Sequence, residues 1–173
     1  MSGFLLLIPL LIIRFGLLPY LNKDAVKRTA HFAPMLGNEV VAYWIYQISN
    51  AVIFIYVFFL RVKIDFTWLF FAGMVFYVLG LLLCVFSVIG FALPSSEGLN
   101  SEGIYQFSRN PMYVSYFIYF VGCAFLTQSI ILGGIVFIFQ ISAHWIILSE
   151  ERWCMERFGE SYREYMKKVR RYI

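Results

Sequence analysis

Between two apolar segments lies the stretch Gly103-Ile104-Tyr105-Gln106-Phe107-Ser108-Arg109-Asn110-Pro111-Met112-Tyr113. Asparagine followed by proline is the pattern of a helix N-cap and first helical residue. A helix starting at Pro111 presents free backbone N–H groups and the positive end of its dipole to whatever precedes it. An anionic group such as a carboxylate suits that place. Arg109 adds a permanent positive charge beside it. Further along, Glu150 and Glu151 supply a pair of carboxylates after a long apolar run. A capped transmembrane helix with a snorkelling arginine accounts for the first group equally well, and a solvated helix end for the second. The elements that would position these residues therefore have to be read as well.

The chain has 173 residues, of which 61% are hydrophobic and 14% charged, with a mean hydropathy of +0.76. A water-soluble domain of this size cannot hide so much apolar surface, so the bilayer is the solvent for most of it. The 19 Phe and 12 Tyr suit lipid-facing and interfacial positions. The formal net charge of +4 speaks to orientation and to anionic headgroups; no nucleic-acid partner is implied. Cys84, Cys123 and Cys154 show no CxxC spacing, and their odd count suggests neither a disulfide framework nor a zinc site. His31 and His144 are too few and too scattered for a metal cluster, and His144 reads first as a packed or hydrogen-bonded residue.

Helix one is expected over Gly3–Leu21, with Pro9 and Pro19 to kink or end it and Arg14 marking a polar inner face. A secretory signal would carry a basic n-region; here that region is missing and Arg14 interrupts the apolar run, so helix one reads as a retained span. Asn22–Asn38 is a charged surface segment broken at Pro34 and Gly37. Helix two is expected over Glu39–Leu60, a turn over Arg61–Asp65, and helix three over Phe66–Leu93, ended by Pro94-Ser95-Ser96-Glu97-Gly98. Helix four runs from Pro111 to about Leu126, near the lower length limit for spanning. Helix five follows over Ile130–Ser149 after the turn Thr127-Gln128-Ser129, so the two form an antiparallel hairpin. Gly122, Gly133 and Gly134 allow close approach of neighbouring backbones.

In Glu150–Ile173, Phe158, Tyr162, Tyr165, Val169 and Tyr172 recur at helical spacing among basic residues. Ser161 with Glu164 makes a capping-box pattern, so a helix starts after Gly159. It reads as an interfacial amphipathic helix against the cytoplasmic leaflet. The fold expected is an all-α integral membrane protein of about five transmembrane helices, with a C-terminal hairpin and this amphipathic helix. With the C-terminus cytoplasmic, eleven of the 14 basic residues lie inside and only Arg61 and Lys63 outside. The positive-inside rule thus sets the N-terminus outside and places Gly103–Tyr113 and the C-terminal helix on the cytosolic side.

No GxGxxG after a strand, P-loop or HExxH occurs. The series Gly103-Ile-Tyr-x-x-x-Arg-Asn-Pro-Met-Tyr113, Glu150-Glu151, and Phe158-Gly159-Glu160-x-Tyr162-x-x-Tyr165-x-x-x-Val169-x-Arg171-Tyr172 closely resembles the isoprenylcysteine carboxyl methyltransferase family, itself related to the membrane phospholipid methyltransferases. The resemblance covers roughly the last 80 residues, from about Leu93. It implies an integral-membrane enzyme, with the site facing the cytosol, that transfers a methyl group from S-adenosyl-L-methionine to a lipophilic acceptor drawn from the bilayer, without a metal. The chain thus reads as a single membrane domain over 1–173, in which 1–93 supply three helices and 94–173 the hairpin, the amphipathic segment and, by the resemblance, the cofactor-binding loop.

By the same resemblance Glu97, Gly98, Leu99 and Asn100, then Tyr105, then Asn110, Pro111, Met112 and Tyr113, and finally Glu150 contact the cofactor. Arg109, Asn110 and Glu150 are the candidates for positioning, and no catalytic residue is assigned. Two departures bear on the acceptor. Many members have histidine where Asn110 stands, and the prenylcysteine enzymes have a carboxylate-binding arginine where this chain has Ile146. Prenylcysteine-like and phospholipid-like acceptors both stay open. So do two other classes: an NADPH-dependent membrane reductase of the sterol-reductase type, and a lipid-binding membrane scaffold.

Overall fold

The computed structural model describes residues 1–29, 33–93 and 98–173, with backbone alone at 27–29. The described residues form seven α-helices. These are α1 (Phe4–Leu21), α2 (Lys23–Thr29), α3 (Glu39–Phe59), α4 (Trp68–Ala92), α5 (Pro111–Thr127), α6 (Ile130–Phe158) and α7 (Glu160–Lys168). A single 3-10 turn, Gly103–Gln106, precedes α5. Four helices, α1, α3, α4 and α6, are long and apolar enough to cross a membrane, and α5 is a shorter apolar helix of 17 residues. The chain is an integral membrane protein. The expected break at Pro94–Glu97, like His31, lies outside the described residues.

The largest departure from expectation is the length of α6. It does not stop at Ser149 but continues to Phe158. Glu150–Arg157 contain no glycine or proline, and Gly159, at φ +56°, is the first residue that readily takes the left-handed turn ending a helix. Helix α7 starts directly after it, at Glu160. The Ser161–Glu164 capping box is not formed: Gly159 is the cap position and makes no side-chain bond. Glu164 instead accepts from Lys167 at 2.6 Å.

Helix α5 packs chiefly on α4, backbone to backbone. A Cβ on Gly80 would lie 2.5 Å from Tyr119, and one on Gly122 2.4 Å from the Tyr77 nitrogen. Gly122 thus behaves as expected. Gly133 and Gly134 do not, since nothing lies within 4 Å of a Cβ at either. Helix α6 packs on α3, where Tyr46 stacks on Phe139 with centroids 4.7 Å apart. Helix α1 is tied across the bundle by Tyr77 and Tyr119, whose hydroxyls both donate to the Leu6 carbonyl, at 2.9 and 2.6 Å. Its middle, Ile13–Leu17, is a π-helical turn. At one end of the bundle Gly3 donates to Leu60 and Val62 to Met1. At the other, Asn22 donates to the last α4 carbonyl, Ala92, and its Oδ1 accepts from Asp24 and Ala25, closing α4 and opening α2. Phe15, Trp44, Phe59, Phe71, Ile131 and Phe137 are exposed on the outer wall, as lipid-facing residues of a bundle should be.

Candidate active site

Asn110 precedes Pro111 at the start of α5 as the sequence predicts, but its side chain does not cap the helix. Its Nδ2 donates to the Arg171 carbonyl at 3.1 Å. The C-terminal tail, which runs back along Ser108–Asn110, has recruited it. Arg109 N–H donates to the Arg170 carbonyl at 3.0 Å, and Tyr172 Oη meets His144 Nδ1 at 2.8 Å. His144 is therefore a hydrogen-bonded residue that anchors the tail. The first N–H groups of α5 are left without a side-chain cap, which keeps this 17-residue helix open to an anion.

Behind this junction is a cavity of about 610 Å³. Its lining includes Gly98, Leu99, Asn100 and Tyr105, then Arg109, Asn110, Met112 and Tyr113, and Glu150 from α6. All belong to the residues singled out in the sequence. Pro111 is buried in the first turn of α5 and is not on the cavity surface. Glu97 lies outside the described residues. The wall also includes residues that were not among the expected cofactor contacts: Arg14, Tyr46, Tyr116, Glu151, Tyr162 and Tyr165.

The two carboxylates have different tasks. Glu150 Oε1 accepts from Tyr113 Oη at 2.8 Å. Glu151 is buried and joins two arginines: Arg171 forks onto it through Nε and Nη2 at 3.0 and 2.8 Å, and Arg109 Nη2 lies 3.2 Å away. Glu151 is thus the structural tie between loop, α6 and tail. Nothing local in the sequence announces this, because its partners are 42 residues before and 20 residues after it.

Arg109 is about nine-tenths buried, yet among the described residues its Nε and Nη1 have no hydrogen-bond partner. Asn100 Oδ1 is in the same state. Buried polar atoms are normally paired, so these atoms mark a place for a polar ligand. Helix α7 covers this end. Tyr162 and Tyr165 pack with Leu99 and Phe158, and Tyr165 Oη donates to the Tyr105 carbonyl at 2.6 Å. The aromatic face of α7 thus packs on the loop and on the end of α6 and forms part of the cavity wall. Burial pushes both phenols above their ordinary range, so they remain protonated donors. The Tyr105 ring lies against Gly90, where a Cβ would sit 3.0 Å from it.

Fold and cavity define a helical membrane protein with a charged, tail-covered chamber at one end of the bundle. The phospholipid methyltransferase family profile matches residues 68–161, more than half of the chain. The chain belongs to that family, a family of membrane methyltransferases. No curated protein and no solved structure matches it.

Proposed function

We propose that this protein transfers a methyl group from S-adenosyl-L-methionine to a lipophilic acceptor held in the bilayer. The observation that carries the reading is Arg109: a residue of the cavity wall whose buried guanidinium has two donors without a partner among the described residues, in a cavity that also holds a carboxylate and several aromatic rings. A molecule with a carboxylate, an ammonium, an adenine and a sulfonium matches that set. S-adenosyl-L-methionine would supply an activated methyl group on a positively charged sulfur.

The chain's own residues divide the remaining work. Arg109 and the open N-terminus of α5 suit a carboxylate. Glu150, steadied by Tyr113, suits an ammonium or a hydroxyl. Asn100 Oδ1 offers an acceptor to an amino or hydroxyl group. Tyr105 and Tyr113 offer ring faces to a purine or to a cation. Tyr162 and Tyr165 exclude water by covering the chamber, which favours a displacement between two held reactants. The acceptor's apolar part stays among the helices.

The same reading sets the chamber on the cytosolic side, with the N-terminus outside. The basic residues support it, since eleven of 14 then lie inside. An impermeant thiol reagent applied to intact cells should label Lys63→Cys and not Lys168→Cys; the reverse pattern would invert the topology.

Thermal unfolding of the purified chain in detergent tests the donor. S-adenosyl-L-methionine or its demethylated product at about 100 times Kd should stabilise by about 2.7 kcal/mol. NADPH should not. Stabilisation by NADPH alone points to a reductase, and stabilisation by neither to a scaffold. If Glu150→Ala and Tyr105→Ala both keep the shift, the assignment of the site is wrong.

A further inference from the structure

Arg14 lies in the middle of α1, outside the residues that match the family. It sits in the π-helical turn Ile13–Leu17, and such turns recur at functional sites. Seven residues separate it from Leu21, which places it about 10 Å along the helix from that end. An arginine at this depth of an apolar helix is costly unless something meets its charge.

Among the described residues, no carboxylate meets it. Its one hydrogen bond runs from Nη1 to Tyr116 Oη at 2.7 Å, and its guanidinium lies 5.4 Å from the Tyr116 ring centroid. A neutral phenol accepts from one of five N–H donors, and its ring, though favourable to a cation, supplies no counter-charge. Arg14, Tyr116 and Tyr46 all line the 610 Å³ cavity, and Tyr116, which Arg14 meets, lies five residues along α5 from Pro111, about 7.5 Å along the helix. The Tyr46 and Tyr113 rings, with centroids 6.3 Å apart, continue the wall to Glu150.

We infer that Arg14, oriented by Tyr116, is a second anion-binding subsite in the cavity, which holds the negatively charged headgroup of the lipophilic acceptor. This rests on the methyltransferase reading and adds to it the charge of the acceptor. Two separate cationic subsites keep donor and acceptor apart: Arg109 takes the donor's carboxylate, and Arg14 takes the acceptor's phosphate or carboxylate. The acceptor's reactive atom then faces the Tyr46–Tyr113 wall between them.

Direct binding tests this without turnover. The full-length protein in an uncharged maltoside detergent is titrated with dodecyl phosphate, dodecanoate and dodecanol, with intrinsic fluorescence as the readout. The wild type should bind at least one anionic probe about tenfold or more tighter than dodecanol, the size of a charge-assisted hydrogen bond. The better of the two anions identifies the headgroup charge. Arg14→Gln should lose the preference, and Arg14→Lys should keep most of it. If Arg14→Gln does not fold, Arg14→Met, apolar and of similar length in an apolar helix, replaces it. Stabilisation by S-adenosylhomocysteine should be unchanged in every variant.

The inference is overturned if the wild type shows no preference or if Arg14→Gln or Arg14→Met retains it. It is also overturned if the Arg14 variants lose the S-adenosylhomocysteine shift, which would assign Arg14 to the donor. If the anion preference is found but S-adenosylhomocysteine never stabilises the wild type, the methyltransferase reading fails and the Arg14 subsite stands.

Discussion

Arg109, Glu151 and Arg171 form one buried or half-buried cluster in which a single carboxylate serves two guanidiniums. Glu151→Gln keeps the volume and removes the charge. Both arginines then stay where they are without a counter-ion, and breaking a buried pair in this way costs about 3–5 kcal/mol. Arg171 is about one-third exposed, so solvent screening brings the expected loss below that range, to about 2–3 kcal/mol. Thermal unfolding in detergent measures it. The tail should also become the first site of proteolysis, because Arg171 is its main anchor. Glu150→Gln, next door, leaves this cluster intact and should cost much less stability while weakening S-adenosylhomocysteine. That contrast separates the structural carboxylate from the site carboxylate.

At the scale of elements, the α4–α5 contact depends on hydrogen atoms where any other residue brings a methyl. Gly122→Ala places a carbon 2.4 Å from backbone nitrogen, so the helices must separate. A destabilisation of about 1–3 kcal/mol or more is expected. Gly133→Ala meets open space, and should be neutral or stabilising by up to about 1 kcal/mol through helix propensity alone. Equal effects at the two positions would contradict the packing described. Helix α7 carries a pH dependence. Burial raises the pKa of Tyr162 and Tyr165 in the folded chain. Their contribution is therefore whole below the unfolded phenol pKa of about 10 and falls as pH rises above it. Protease accessibility of α7 should increase above pH of about 10 in the wild type. In the Tyr162→Phe/Tyr165→Phe double variant that increase should be absent.

At the scale of the whole molecule, the sequence was most informative where physics is local. Apolar length located the spans, Asn110-Pro111 located the start of α5, and glycine at 159 located the break before α7. Eight of the ten positions that the resemblance assigns to the cofactor line one cavity; Pro111 is behind the wall and Glu97 lies outside the described residues. Long-range pairing was not legible. Glu151 looked like half of a solvated pair, since neither Arg109 nor Arg171 is near it in sequence. Asn110 read as a cap because the competing Arg171 carbonyl is 61 residues away. Arg14 showed only that helix one has a polar face, and which cavity that face lines depends on how α1 packs. Helix five read as ending at the first charge, whereas α6 carries its charges inward under the tail.

The central claim is that the Arg109–Glu150 chamber holds a methyl donor and serves a lipid. Purified protein is reconstituted in vesicles of membrane lipid with S-adenosylmethionine labelled in its methyl group, and the radioactivity that partitions into the organic extract is counted. Label should accumulate in a lipid-extractable species with the wild type, and should fall by at least about tenfold with Arg109→Gln, the loss expected when a buried charge-assisted contact is removed. Extractable label no higher than in vesicles without protein would contradict the claim.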